Sequence, residues 1–469
     1  MAIQAINPAT EEVIQTYQEF TQQQIDSALD QVYERQKQWR TTSFQERAAG
    51  LHALAKVLRS DKARYAGIIT AEMGKPIVEA EAEVEKCAWN CEFYADHAPG
   101  FLEPEHVDIG VTESYVAFEP LGVVLAIMPW NFPFWQVIRF LAPALMAGNT
   151  AVLKHASNVP GSALAIEEAV RRAGLPEGVF RALLVPGSGV EPLIGDPRVH
   201  AITLTGSSEV GEKVASAAGR HLKKQVLELG GSDPFVILND ADLDGAAKTA
   251  ARARNQNSGQ SCIAAKRFIV EEGVADQFVE KFAAAVKALQ VGDPTARDTN
   301  VGPLARGDLR ESLVIQVDAS LKQGAQAIVG GKILDRQGYF YAPTVLDGVS
   351  LDMPAFREET FGPVAAIVRA KDADEAVTLA NDTEYGLGAA LWSSDLERAK
   401  QLARRIDAGA VFINGMVASD PRMPFGGVKR SGYGRELGAY GIREFCNIQT
   451  VVANASSATV SPRAANAAE

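Results

Sequence analysis

From Leu121 to Leu229 short β-rich apolar runs alternate with helical segments, and that rhythm restricts the fold more than any other feature of the chain. The runs are Val123 to Met128, Ala151 to Lys154, Ala182 to Val185, Ala201 to Thr205 and Val226 to Leu229. Alternation of this kind predicts βαβ units and a parallel sheet covered on both faces, here a Rossmann-like nucleotide domain. A second alternating block passes from Phe235 through Ile269, Ala327 to Val329 and Val364 to Val368, and ends at Val411-Phe412-Ile413. It predicts a second α/β domain.

The N-terminal region reads as helical, with Ile25, Ala28, Leu29, Val32, Tyr33 and Trp39 at helical spacing and Ser43 with Glu46 as a capping box. The acidic run from Glu79 to Lys86 reads as a solvated helix face. His106 to Phe118 reads as an extended hairpin and Ile448 to Val452 as a short strand, edges that need a cover or a partner. A formal charge of −12 over 469 residues argues against nucleic acid as the main partner. No run approaches the ~18 apolar residues of a membrane span, and the N-terminus lacks a basic stretch followed by an apolar core, so the expected location is cytoplasmic. The four cysteines suggest neither a disulfide framework nor a metal site, and Cys87, Cys91 and Cys446 are expected to be buried.

Three short motifs supply chemistry. Pro129-Trp130-Asn131-Phe132-Pro133 carries an amide, Glu228-Leu229-Gly230-Gly231 a carboxylate, and Asn257-Ser258-Gly259-Gln260-Ser261-Cys262 a thiol. Together they offer an oxyanion donor, a general base and a nucleophile. No G-x-G-x-x-G follows a strand. Instead Thr205-Gly206-Ser207-Ser208-Glu209-Val210-Gly211 joins an apolar run to a helical one, so that a helix N-terminus can present N–H groups to a pyrophosphate. Its near match to a P-loop fails where Glu212 replaces the lysine. Lys154, after its strand, is placed to reach an adenosine ribose.

From Asn7-Pro8-Ala9-Thr10 to about Gln449 these motifs make the chain resemble the aldehyde dehydrogenase superfamily, and Arg139 with Ser419-Asp420-Pro421-Arg422-Met423-Pro424-Phe425-Gly426-Gly427 makes it look most like the succinate-semialdehyde dehydrogenases. The resemblance implies Cys262 as nucleophile, Glu228 as the base that hydrolyses the thioester, and Asn131 as oxyanion donor. It implies a cofactor site of Trp130, Lys154, Ser157, Gly206, Ser207, Leu229, Glu359 and Phe361, the last two from Glu358-Glu359-Thr360-Phe361-Gly362-Pro363-Val364. Where the family commonly has a ribose-binding glutamate, this chain has Ser157, so NADP is expected over NAD. His155, often proline in the family, reads as a packing or loop variant, and Ser232-Asp233-Pro234 departs from the family's K-S-P. Trp135 and Arg139, four apart on a helix, are expected to line the substrate wall with Ser261, Ser419 and Phe425, Arg139 binding a substrate carboxylate. A second carboxylate-binding arginine is missing at Gln256. Because a free thiol has pKa about 8.5, the site is expected to favour the thiolate.

The expected division is a cofactor-binding domain over 1–100 and 119–230, a catalytic domain over 231–435, a small β oligomerisation arm over 101–118 and 436–455, and a mobile tail over 456–469. The expected activity is NAD(P)-dependent oxidation of a small aldehyde, foremost succinate semialdehyde, by a homodimer or homotetramer. A broad-specificity aldehyde dehydrogenase, a cysteine hydrolase and a catalytically silent binding or structural member of the fold remain as alternatives.

Overall fold

The computed structural model describes residues 2–455, so the tail expected over 456–469 lies outside the described residues. Two open sheets dominate. In the first, six strands run in the order Gly432–Tyr433, Lys224–Glu228, Ala201–Thr205, Val123–Met128, Thr150–His155, Phe180–Ala182. All neighbours are parallel except Gly432–Tyr433, which crosses over from the second half of the chain to close an edge antiparallel to Lys224–Glu228. Val123–Met128 is buried along its whole length, the signature of a strand covered on both faces. The last parallel strand lies at Phe180–Ala182, earlier than the expected run from Ala182 to Val185.

Chain order reverses between Val123–Met128 and Ala201–Thr205, because later strands are added on either side of the first. Such a reversal opens a crevice at the carboxyl ends of the strands, where ligands of open α/β sheets bind. Pro129-Trp130-Asn131 and Gly206-Ser207 leave the sheet at this crevice.

The second sheet has seven strands, with Asp233–Ile237 between Ala265–Glu271 and Gly388–Trp392. Its only antiparallel pairing among the described residues is Gln326–Val329 against Thr344–Asp347. A third, three-stranded sheet pairs Cys446–Ala453 with Glu113–Pro120 and Glu105–His106. The expected hairpin is therefore present, running from Glu105 to Pro120, and the expected short strand is longer, Cys446–Ala453. An N-terminal hairpin, Ala2–Ile6 with Val13–Gln18, was not signalled by the pattern. Among the described residues no helix is long and apolar enough to cross a membrane.

The helices follow their caps. Ser43 accepts from the Glu46 N–H at 3.2 Å and Glu46 accepts from the Ser43 N–H at 2.7 Å, closing the expected box at the start of Phe44–Ser60. Thr21 and Gln24 do the same for Gln22–Trp39. Each such cap stabilises by about 1 kcal/mol. Cys87, Cys91 and Cys446 are buried.

One expectation holds only in part. The Glu79 to Lys86 run is solvated on one side, where Ala82 is exposed and Glu81 and Glu85 pair with Arg297, Arg59 and Lys62 near the surface. Glu79, Glu83 and Lys86, at i, i+4 and i+7 on helix Ile77–Phe101, share the side that packs on the rest of the protein. Glu83 is buried, pairs with Lys75, and accepts the N–H groups of Phe134 and Trp135, each at 2.9 Å. It thereby anchors the first turn of Trp135–Met146, a helix buried on every side. A charge run reads as solvated when its partners lie far away in sequence.

Candidate active site

The thiol is delivered by a backbone that only this motif tolerates. After helix Leu243–Asn255 the chain takes three consecutive left-handed residues, Asn257 (φ 55°), Ser258 (φ 55°) and Gly259 (φ 74°). Asn accepts this region more readily than most residues, and glycine accepts it freely. Gly259 is required twice over, because a Cβ there would stand 2.4 Å from the Gly362 carbonyl carbon. The strain is held by side chains. Glu79 accepts the Asn257 N–H at 2.7 Å, Asn257 Nδ2 donates to the Asn131 and Gln260 carbonyls at 2.7 and 3.0 Å, Arg254 donates to the Gly259 carbonyl at 2.6 Å, and Ser258 Oγ donates to the Gly302 carbonyl at 3.1 Å. Downstream, the buried Lys266 ammonium gathers the carbonyls of Ser261, Cys262 and Ala264 at 3.0, 2.8 and 3.3 Å. Gly231 leaves room for this loop, since a Cβ on it would meet the Cys262 carbonyl oxygen at 2.7 Å.

Cys262 faces a cavity of about 240 Å³ with Asn131, Trp130, Gly206, Ser207, Leu229, Glu359 and Phe361 in its wall. These residues come from three neighbouring strand ends of the first sheet and from the half of the chain that forms the second sheet, so the crevice and the Cys262 thiol coincide. Asn131 Nδ2 donates one hydrogen to the Gln260 carbonyl at 3.1 Å, which fixes the amide and leaves its second N–H free for a substrate oxygen. Burial pushes the Cys262 thiol up to about 12, and the nearby cations Lys266 and Arg139 offset only part of this. Desolvation thus opposes the thiolate that nucleophilic attack needs, while Lys266 and Arg139 favour it.

Glu228 ends strand Lys224–Glu228 and is buried, with neither carboxylate oxygen finding a hydrogen-bond partner among the described residues. It lies against the Phe425-to-Gly427 loop, where a Cβ on Gly426 would meet Glu228 Oε1 at 2.7 Å. Burial holds its carboxyl well above the usual range and the neighbouring Glu436 adds to the rise, while Arg139 and Arg435 pull it back. A buried carboxyl without hydrogen bonds is a poor structural element and a good proton acceptor in waiting.

On the cofactor side, Ser207 caps helix Ser208–Arg220 by accepting the Val210 N–H at 3.4 Å, and Gly211 lets Leu229 close on that helix, since a Cβ there would lie 2.5 Å from Leu229 Cδ1. Trp130 and Phe361 meet edge to face, ring centres 5.6 Å apart. Glu359 accepts the Gly231 N–H at 3.1 Å and lies 3.4 Å from Lys266 Nζ. Lys154 and Ser157 stand at the end of strand Thr150–His155, outside this cavity. Lys154 is buried with no ion-pair partner among the described residues, and burial alone lowers its pKa. A buried ammonium without an ion-pair partner among the described residues fits an anionic ligand. His155 ties this region together: its ring is held neutral with a pKa near 4 by burial, Nδ1 lies 3.0 Å from the Ala156 N and 3.2 Å from the Met128 carbonyl, and Nε2 lies 2.9 Å from the Pro133 carbonyl.

The substrate side differs from expectation. Arg139 does not offer an uncommitted cation. It is fully buried, ion-paired with Glu436, donates to Thr205 Oγ1 at 3.3 Å and lies over the Phe425 ring at 4.9 Å. Its charge is spent holding a second carboxylate next to Glu228. Trp135 is buried under the Lys86 ammonium, and Ser419 accepts a hydrogen bond from that ammonium at 2.7 Å. Ser261 is buried with its carbonyl committed to Lys266.

Sequence reasoning missed Lys86, Glu79, Lys266 and Glu436. Only Lys266 left a signal: a lysine and an arginine near the start of an otherwise apolar strand are rarely buried without a structural task. Asp233, at the family departure, is buried, accepts the Gly388 N–H at 3.0 Å, and is raised to about 7, chiefly by burial.

A sequence model described as the aldehyde dehydrogenase family matches residues 1–451. The NADP(+) succinate-semialdehyde dehydrogenase 1 of Mycobacterium tuberculosis is 51% identical over 454 residues, covering 96% of this chain and 99% of that protein. The succinic semialdehyde dehydrogenase of Streptococcus pyogenes, solved with NADP+, superposes with a TM-score of 0.94 at 40% identity, over 97% of this chain and 100% of that one. A lactaldehyde dehydrogenase structure superposes equally well, with a TM-score of 0.94 at 33% identity, over 97% of this chain and 96% of that one. The fold is thus shared by enzymes of different aldehydes, and the site must decide among them.

Proposed function

The chain belongs to the aldehyde dehydrogenase family, and on that footing we propose that it oxidises succinate semialdehyde to succinate with NADP as the preferred cofactor. The observation that carries the chemistry is the meeting of Cys262 with the half-committed Asn131 amide in the crevice of the first sheet. The relatives named above support the choice of aldehyde and cofactor.

Cys262 loses its proton to solvent as Sγ adds to the aldehyde carbonyl, and the oxygen that gains charge is received by the free Asn131 N–H. The dinucleotide, when bound, supplies the hydride acceptor that turns the adduct into a thioester. Glu228 then takes a proton from water, and the hydroxide releases the acid and restores the thiol. Lys154 and Ser157 would hold the ribose end of the cofactor, Gly206 and Ser207 its phosphates, and Glu359 with Phe361 and Trp130 its nicotinamide end.

Selectivity for NADP rests on Lys154, whose charge has no ion-pair partner among the described residues, together with a hydroxyl at Ser157 where a carboxylate would repel a 2′-phosphate. Ser157→Glu is expected to move the NADP-to-NAD ratio of kcat/KM toward NAD by at least about tenfold; an unchanged ratio removes Ser157 from the assignment. The aldehyde is tested by initial rates on succinate semialdehyde, glutarate semialdehyde, butyraldehyde and benzaldehyde with each cofactor. A clear preference for the four-carbon semialdehyde is expected, and equal rates on the uncharged aldehydes would replace the proposal with a broad-specificity enzyme. The three-stranded sheet, with Ile448 and Val452 exposed along Cys446–Ala453, supports assembly as a homodimer or homotetramer through this arm.

A further inference from the structure

Two buried cations grip the nucleophile loop from opposite ends. Arg254, on helix Leu243–Asn255, donates to the Gly259 carbonyl at 2.6 Å. Lys266, on strand Ala265–Glu271, donates to the carbonyls of Ser261, Cys262 and Ala264. The shortest of the three bonds, 2.8 Å, goes to the carbonyl of the nucleophile itself. An ammonium has three hydrogens, and all three are taken up by this short stretch of backbone. Carbonyl dipoles alone are a poor counter-ion for a charge removed from water.

The counter-ion of Lys266 is Glu359, with Oε1 3.4 Å from Nζ. The two partners differ in what they face. The Lys266 side chain is sealed from solvent, whereas the Glu359 side chain is 18% exposed and opens on the cavity that holds Cys262. Glu359 is held from behind, because Oε1 accepts the Gly231 N–H at 3.1 Å and a Cβ on Gly230 would lie 2.6 Å from Oε2. The carboxylate therefore sits where it can neutralise the ammonium without entering the loop. Around the thiol, Lys266 and Arg139 favour the thiolate, while Glu359 and Asp233 oppose it. Lys266 is itself faced by Glu359, Arg254, Asp233 and Cys262, and among the described residues only Glu359 lies within ion-pair distance of it.

We propose that Lys266 is a positioning residue for the nucleophile, fixing the loop by its carbonyls and supplying the charge that steadies the thiolate, and that its pairing with Glu359 sets how strongly it acts. This rests on Cys262 being the nucleophile, as given above. Lys266 makes and breaks no bond in the reaction.

The test is the rate at which iodoacetamide alkylates Cys262, read by mass spectrometry at one pH below the thiol pKa, where the rate follows the thiolate fraction. No cofactor or substrate is added. Lys266→Gln keeps N–H donors for the carbonyls and removes the charge; Glu359→Gln keeps an oxygen for the Gly231 N–H and leaves Lys266 in place. Lys266→Gln is expected to slow alkylation about tenfold, and Glu359→Gln to speed it about three- to tenfold. In the double variant the gain from Glu359→Gln is expected to shrink below about twofold, because the group through which it acts is gone. A gain of equal size with and without Lys266 means that Glu359 acts on the thiol directly, and the proposal falls; an unchanged rate in Glu359→Gln overturns it as well.

Should Lys266→Gln fail to fold, Asp233→Asn decides. Asp233 also opposes the thiolate but forms no ion pair with Lys266 among the described residues, so its removal is expected to give a smaller gain than Glu359→Gln. Equal gains overturn the proposal. The alkylated samples are also assayed for NADPH formation from succinate semialdehyde. If modified protein keeps that activity, the reading of Cys262 as nucleophile falls, whereas the order of the alkylation rates judges the action of Lys266 on the thiol by itself.

Discussion

Glu228→Gln yields one rapid equivalent of NADPH per active site and then a steady-state rate about 10²–10⁴ lower than that of the unaltered enzyme, the usual contribution of a positioned general base. The expectation follows from where the carboxyl sits. It is buried, unpartnered and raised well above the ordinary carboxylate range by desolvation and by Glu436, so it holds a proton at low pH and becomes a base only as pH climbs. Thioester hydrolysis by the unaltered enzyme should therefore accelerate with rising pH, and the glutamine variant, with nothing to titrate there, should lose that rise. Stopped-flow absorbance at several pH values reads both effects. If the burst slows by the same factor as the steady state, Glu228 acts on the thiol before hydrolysis, and its assignment moves to the first step. The desolvation that raises the pKa of the half-buried Cys262 makes that comparison worthwhile, because some group must accept the thiol proton.

Asn131→Ala is the second large effect, with kcat falling about 10²–10³ while KM changes far less. The variant is cleaner than most because the Gln260 carbonyl that Asn131 engages is also held by Asn257 Nδ2 at 3.0 Å. The nucleophile loop keeps that tie, and what disappears is the free N–H aimed at the developing oxyanion. Alkylation of Cys262 by iodoacetamide should proceed at a similar rate in both proteins. Near-normal turnover would remove Asn131 from the chemistry, and slowed alkylation would show that the loop itself had moved.

The first sheet, the nucleophile, the amide and the glycine-serine turn were legible in the sequence because each depends on local facts: an apolar run, a glycine beside a small polar residue, a motif of six. The N-terminal hairpin was not, since Val13–Gln18 is largely exposed and carries no apolar alternation. Gly432–Tyr433 could not be placed either, because two residues joining a sheet at the opposite end of the chain leave no periodic trace. The partners of Arg139 and Lys86 were hidden for a related reason. An arginine four residues beyond Trp135 looks like a wall residue until Glu436, nearly 300 positions later, claims its charge. Lys86 looks like one more solvated cation until Trp135 and Ser419 close around it.

Helix Ile77–Phe101 touches three parts of the site that the chain delivers separately: the nucleophile loop through Glu79, the helix behind Asn131 through Glu83, and Ser419 through Lys86. Fixed to one rod, those parts share a single reference, like instruments bolted to the same rail. A small shift of the rail is common to all of them and leaves their mutual spacing intact, whereas separate supports would let each drift on its own. The positions of thiol, amide and Ser419 are thereby referred to one helix, through a stretch of acidic sequence that reads as surface.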